Sequence, residues 1–523
     1  MSGRSRDAAV ACRGRAHAGP QLAPPGARPV SPATPHVVVA GAGNAALSAA
    51  LSARETGARV TVLEKAPESE RGGNTYFSGG GFRFPYDGLD DIRRLIPDLS
   101  DAEAARIEVG RYGAAEFRSD LATVSDGLIQ DGLADTLVRE AAPTMRWLRE
   151  QGGRWVLMSG RQAYEVGGKL VFFGGLIVEA VGGGAGLSDR LFESAAERGV
   201  DLRYEHKLLR LRGDGGRVVG VDARTPAGDV AIEADAVVLA AGGFEANTEM
   251  RTRYLGPGWD LAKVRGARFN TGDAIRAALD AGAQPFGNWA GAHAVAWDLN
   301  APPTGNRGVG DLYQKHSYPY GIVVNVDGRR FLDEGADYRN YTYAKYGRAI
   351  LQQPLRTAFQ LFDQKTVPLL RDEYRVRYAT KAEAGSMREL AGRLGADPDA
   401  LERTVAEFNA ACPDGAFSPA TLDGLGTRGI EPPKSNWAQP LDTPPYVGFA
   451  VTCGITFTFG GLKIDHRSAQ VLDTEERPIP GLYAAGELVG GLFYNNYAGG
   501  SGLMAGAVFG RIAGRAAAQA GPD

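Results

Sequence analysis

The chain has 523 residues, with 58 basic against 61 acidic side chains and three cysteines, Cys12, Cys412 and Cys453, far apart and without CxxC spacing. At roughly 100–200 residues per domain this length allows about two to four units, and the formal net charge of -3 gives no bulk electrostatic reason to hold a nucleic-acid backbone. The cysteine pattern excludes a disulfide framework or zinc knuckle and points to a reducing compartment, and no run approaches eighteen uninterrupted apolar residues, so no membrane-spanning helix is expected.

Residues 1–35, rich in Arg, Ala, Pro and Gly, are expected to be a disordered tail carrying neither a Sec-type apolar run nor a paired-Arg export signal, and the chain is expected in the cytoplasm. Order begins at His36. HVVVAGAGNAALSAALSARETGARVTVLEK reads as a strand, a Gly-rich turn, a helix and a second strand, with Val37–Ala40 and Val60–Leu63 suited to neighbouring buried parallel strands. Gly41 allows the tight turn, Gly43 lets the backbone approach a pyrophosphate, and the small Ala46 lets helix and strand pack closely. Asn44 and Ala45 open the helix, whose N-terminal N–H groups face the phosphate charge. Glu64, followed by Lys65, ends the second strand about 20 residues on, where a carboxylate accepts ribose hydroxyls.

A helix-prone region follows from about Asp90 to Arg154, then a helix over Leu187–Gly199. Short strands and turns occupy 201–243, ending in a buried strand at Ala236–Ala240. Between Trp289 and Pro445 the texture becomes aromatic and charged, and from Val447 it returns to small apolar residues, closing in a helix from Gly502 to about Ala518. The fold class is α/β: a Rossmann-like domain in two parts, 36–288 and 446–518, with an inserted α+β capping domain over 289–445 that carries the substrate. No internal repeat is present.

Further Gly-rich phrases punctuate this order: Gly72-Gly73-Asn74-Thr75 with Gly79-Gly80, Ala241-Gly242-Gly243, Asn270 to Asp273, the Gly486-Glu487 turn, and Gly500-Ser501-Gly502-Leu503 before the last helix. Together they resemble the flavoprotein family of fumarate reductases, succinate dehydrogenases and 3-ketosteroid dehydrogenases. Through Gly72-Gly73-Asn74, Cys453 to Gly461 and Phe493-Tyr494-Asn495-Asn496-Tyr497, the chain resembles most closely the tricarballylate dehydrogenases. The resemblance implies FAD extended across the first domain, with Glu64 at the adenosine ribose, Gly41 and Gly43 at the pyrophosphate, Glu487 near the ribityl region and Ser501 to Leu503 near the ring. Succinate dehydrogenases attach FAD through a His beside the glycine pair; Asn74-Thr75 stand here, so the FAD is expected to be noncovalent.

The resemblance implies oxidation of a small polycarboxylate, tricarballylate to cis-aconitate, by proton removal and hydride transfer to flavin N5. It further implies a separate membrane-bound electron acceptor protein, reached by peripheral docking at the inner face of the membrane. Two parts of the fumarate-reductase carboxylate clamp are replaced, by Phe457 and Tyr497, and its proton-donor Arg has no clean match around Phe362–Val367. This keeps open a related enzyme acting on a larger ring, such as a precorrin or ketosteroid; an FAD-bearing assembly protein without turnover is a third reading.

Six residues are candidates for the chemistry, each with a plainer alternative. His293 roughly matches a family substrate His, or is a structural hydrogen-bonding His; His316 is a site residue or a surface-loop His. Glu334, after the hairpin Gly321–Arg330, brings a carboxylate to the proton path or forms a salt bridge, and Arg330 shapes the hairpin. Lys365 and Arg371 anchor a carboxylate or face solvent. Tyr497 directs its hydroxyl to substrate or packs on the flavin. No metal site is indicated, and His466 is expected to be peripheral.

Overall fold

The computed structural model describes residues 34–520, so the expectation for the N-terminal tail lies, apart from Thr34 and Pro35, outside the described residues. Strand β1 (His36–Ala40) is buried along its whole length, as a central parallel strand requires. It leads through Gly41 into α1 (Asn44–Glu55) and β2 (Arg59–Leu63). Helix α2 (Asp131–Glu150) is the longest part of the helix-prone region, and the later helix runs over Gly183–Glu197, four residues earlier at its start than expected. Strands β3 (Asp201–Arg203) and β4 (Ala236–Leu239) follow, then β5 (Pro285–Asp298), β6 (Ile322–Asn325), helix α3 (Tyr343–Leu351) and β7 (Ala358–Phe362). The chain ends with β8 (Tyr446–Leu462), β9 (Gln470–Leu472), β10 (Pro478–Ala484) and α4 (Ser501–Gln519).

Six of these strands form one sheet in the order β9-β10-β4-β1-β2-β3, parallel except for the β9–β10 pair. Helices α1 and α4 lie close together because both are built of small residues on the shared face. A Cβ on Gly510 or Gly514 would run into the carbonyls of Ala45 and Ala49. This four-residue spacing puts both glycines on one side of α4. The approach brings the N-terminus of α4 beside that of α1, where Asn44 Nδ2 donates to the Leu503 carbonyl at 2.7 Å.

The second large sheet is organised by β8. Its C-terminal half pairs antiparallel with β5, from Asp298 opposite Val451 to Pro285 opposite Leu462, and its N-terminal half pairs with β7, which pairs in turn with β6. The expected domain boundary at residue 289 therefore falls inside a strand, β5, and residues from Pro35 onward form one compact unit. Register irregularities flank Ala292–His293 in β5 on both sides, with His293 opposite Phe457. Helix α3 then lies against β5 because Gly347 meets the Ala294–Val295 backbone with no room for a side chain.

Candidate active site

A cavity of about 270 Å³ runs from the ends of β1 and β2, past the N-termini of α1 and α4, to the face of β5 and β8. At its first end Gly41 adopts φ +104 and donates its N–H to the Leu63 carbonyl at 2.8 Å, a turn in which a Cβ would strike the Ala240 carbonyl. Glu64 accepts the Ala66 N–H at 2.7 Å, and burial pushes its carboxyl above the usual range. Lys65 pairs with Asp273 at 2.7 Å. Burial alone would raise the Asp273 carboxyl, but hydrogen bonds from Lys65, Thr271 and Lys207 hold it at about 2.

In the middle of the cavity Thr75 Oγ1 accepts the Asn44 N–H at 2.9 Å. Asn74 Nδ2 donates to Glu245 Oε1 at 2.6 Å and to the Thr456 carbonyl at 2.7 Å, and Asn270 Nδ2 donates to the same Glu245 oxygen at 2.6 Å. Glu487 accepts the Thr458 N–H at 2.9 Å. Burial first, and then the neighbouring Glu245 carboxyl, push Glu487 well above the usual range, and burial raises Glu245 as well.

These residues suit an extended dinucleotide. Two helix N-termini and a glycine turn too tight for any side chain provide the anion cradle. Buried Asn44 Oδ1 and Glu245 Oε2, without hydrogen-bond partners among the described residues, offer acceptors. Most of the expected cofactor residues line the cavity; Gly72, Gly243 and Ser501 do not. Gly72 packs on Ser188, Gly243 stands against Glu487 and Thr458, and Ser501 Oγ donates to the Ala498 carbonyl at 2.5 Å. They shape the wall from behind.

At the other end the lining turns cationic and aromatic. Arg265 Nη2 lies 2.6 Å from Asp311 Oδ1, and Arg161 Nη1 lies 3.2 Å from the other oxygen of that carboxylate. Arg339 donates to the Arg161 carbonyl at 3.1 Å and has no ion pair within 4 Å among the described residues. Burial, and then repulsion by Arg371, bring its guanidinium down to about 9. His293, only 1% exposed, is stacked on Phe457 at 5.1 Å and edge-on to Tyr343 and Tyr497, each at 5.0 Å. Burial and then Arg265 lower it well below the ordinary His value, so it is neutral. The Tyr497 hydroxyl accepts the Gly502 N–H at 2.9 Å, tying it to the start of α4.

Of the six chemical candidates, His293 and Tyr497 line this end of the cavity. His316 and Arg371 lie behind it, around a separate small void that Arg161 and Arg339 also line. His316 is buried rather than in a surface loop, and Arg371 is buried beside Glu373 rather than solvent-facing. Glu334 must be corrected: fully buried, it pairs with Arg330 at 2.5 Å and accepts the Val323 N–H at 2.8 Å, which fixes the hairpin and takes the carboxylate out of the site. Lys365 must also be corrected, because it sits at the surface, bound to Asp442 and 3.3 Å from Asp363.

Arg161, Arg265, Asp311, Gln314, Arg339 and Tyr343 also line the cavity but carry no motif that marks them. Two lie near phrases singled out in the sequence: Arg265 stands five residues before Asn270, and Arg339 follows Glu334 by five residues in the same charged stretch.

Residues 36–503 match the family described as FAD binding domain. The chain belongs to this family of FAD-dependent oxidoreductases. This flavoprotein is 30% identical over 497 residues to a probable fumarate reductase of Shewanella frigidimarina, covering 93% of this chain and 75% of that protein. It is 30% identical over 508 residues to a urocanate reductase of Eggerthella lenta, covering 92% and 74%. A solved flavocytochrome c3 fumarate reductase in an open conformation is 27% identical, with a TM-score of 0.68 over 94% of this chain and 79% of that one. No helix among the described residues is long and apolar enough to cross a membrane.

Proposed function

We propose that this flavoprotein interconverts a C–C single and double bond beside a carboxylate of a small polycarboxylic acid, with tricarballylate to cis-aconitate as the leading reaction. The observation that carries this reading is the charge of the far end of the cavity. Arg161 and Arg265 share the single carboxylate of Asp311, while Arg339 has no ion pair among the described residues. An anionic substrate supplies the missing partner, and two-point guanidinium–carboxylate contacts fix its orientation.

Bound FAD supplies the two-electron redox chemistry. The chain's own residues hold the acid, exclude water and move a proton. Arg265, held in place by Asp311 and by its bond to Thr456 Oγ1 at 3.1 Å, is the fixed carboxylate anchor. Arg339, brought down to about 9, is the group suited to exchanging the proton on the carbon beside the carboxylate. Neutral His293 contributes a hydrogen bond and a flat wall rather than a charge. The Asn74-Thr75 pair beside the glycines supports noncovalent FAD. Electrons then pass to a separate acceptor, which we place on a membrane-bound partner approached from the cytoplasm.

The visible spectrum of the anaerobic FAD-loaded protein tests this reading. Added tricarballylate should bleach the oxidised-flavin band and yield cis-aconitate in matching amount; an unchanged spectrum sinks tricarballylate as electron donor. A second reading, a cyclic enone or ketone substrate, is favoured by the aromatic wall of Phe457, Phe493, Tyr343 and Tyr497 around His293. Bleaching by an uncharged cyclic ketone but not by any acid would select it.

A further inference from the structure

Behind the wall made by Arg161 and Arg339 lies a second cavity of about 10 Å³, room for one water-sized species. Arg371 and His316 both line it. The Arg371 side chain is 7% exposed, and its Nη1 and Nη2 have no hydrogen-bond partner among the described residues; its Nε lies 3.2 Å from Glu373 Oε1, outside hydrogen-bond alignment. His316 is 1% exposed and neither ring nitrogen has a partner among the described residues. Arg339 Nε, on the third side, is also without one. Buried donors are costly to leave unmet, and here they belong to two guanidiniums and to the ring of His316, which burial and then Arg371 lower well below the ordinary His value, around one small void.

The charge around the void is unbalanced in the same direction. Its lining includes Arg161, Arg339 and Arg371 but no carboxylate. Asp311 is shared by Arg161 and Arg265, Glu373 stands beside Arg371 and is the one further carboxylate whose charge reaches both Arg161 and Arg339, and burial pushes Glu179 toward its neutral form. The neighbouring hydroxyls are committed elsewhere: Tyr164 donates to Tyr320 at 2.6 Å, and Tyr320 donates to the Pro419 carbonyl at 3.0 Å. The void therefore offers guanidinium and ring N–H donors and an excess of positive charge, which favours an anion that accepts hydrogen bonds over a neutral species.

We propose that this cavity binds a small inorganic monoanion of halide size, chloride under ordinary conditions, held by Arg371, His316 and Arg339 and separate from the substrate end of the main cavity. The anion screens Arg339 from Arg371 and keeps the Arg339 guanidinium charged toward the substrate side. It also leaves Arg265 and the open face of Arg339 free for a substrate carboxylate, so anion and substrate occupy opposite sides of the same arginine.

The test uses the full-length, FAD-loaded protein and no turnover, so it stands or falls apart from the proposed substrate. Crystals grown with sodium bromide in place of chloride should show an anomalous peak in contact with Arg371 and His316. In solution, replacing sodium gluconate with sodium chloride at constant ionic strength should raise the Tm of the wild-type protein, with the shift lost in R371M. H316F, which removes the ring donor but keeps a similar volume, should reduce the shift if R371M does not fold. A water or an empty void in the bromide crystals overturns the proposal. So does a bromide peak without any chloride effect on Tm, which marks an adventitious ion only.

Discussion

Asp311 bridges Arg265 and Arg161: one oxygen lies 2.6 Å from Arg265 Nη2 and the other 3.2 Å from Arg161 Nη1. This carboxylate fixes two guanidiniums at the cavity wall while leaving the third, on Arg339, unmatched. A buried ion pair of this kind adds little net stability. Its consequence is positional, because it presents an oriented cation to whatever acid enters beside the cofactor.

The proton-transfer role proposed for Arg339 predicts that R339Q lowers kcat by about 10²–10⁴-fold while the protein still copurifies with FAD. In the direction of tricarballylate oxidation Arg339 accepts the proton and must be neutral, so wild-type activity should rise as pH rises through about 9, whereas in the reductive direction it donates the proton and activity should fall over the same range. A pH profile of kcat/KM measures this limb; a profile flat to pH 11 would remove Arg339 from the proton path.

Glu64 should anchor the ribose. Loss of charge-assisted hydrogen bonds worth about 1.5–3 kcal/mol predicts that E64A holds FAD about 10–100-fold more weakly, measured as flavin released on ultrafiltration. Because burial raises the Glu64 carboxyl, the wild type should begin to release FAD on acidification at a pH above the ordinary glutamate range. Undiminished FAD retention by E64A would place the ribose elsewhere.

The Glu245–Glu487 pair sets a stability trend with a definite sign. Both carboxyls bind protons more tightly in the folded chain than in the unfolded one. Stability of the FAD-free protein should therefore be greatest below the unfolded carboxyl pKa and fall as pH rises toward the raised folded values. E245Q keeps an acceptor for Asn74 and Asn270 while removing one of the two charges, so its loss of stability between pH 5 and 8 should be smaller. Denaturant midpoints across that range read it directly, and equal slopes would show that the pair does not repel.

The close contact of α1 and α4 permits no side chain at Gly514, where a Cβ meets the Ala49 carbonyl. G514V should cost at least about 1–3 kcal/mol, seen as a lower denaturant midpoint and weaker FAD retention, since the displaced helix carries Gly502 and Leu503 into the cavity wall. Unchanged stability would mean that the two helices are held apart.

The cofactor end was legible in the sequence because its parts are local. Strand, Gly41 turn, α1 and Glu64 fall within one continuous stretch, and each glycine marks its own backbone geometry. The substrate end was not, because its geometry is made across the chain. Arg265 meets Asp311 from 46 residues upstream and Arg161 from 150 residues upstream, and neither distance leaves a spacing to read. For Glu334 the position after a hairpin left two readings, a carboxylate on the proton path or a salt bridge, and the hairpin itself decides for the second by supplying Arg330 four residues earlier and the Val323 N–H. His293 was readable as a residue but not as a ring in an aromatic box, since Tyr343 and Phe457 arrive from α3 and β8.

The central claim is that a substrate carboxylate docks on Arg265 beside the cofactor, and anaerobic titration of the flavin spectrum with tricarballylate and with its uncharged trimethyl ester tests it most directly. The acid should change the spectrum and the ester should not, and R265M should shift the acid's half-saturation upward about 10–100-fold, the loss expected for a charge-assisted pair. Equal responses to acid and ester, or an R265M protein that binds FAD and responds to the acid like the wild type, would contradict it.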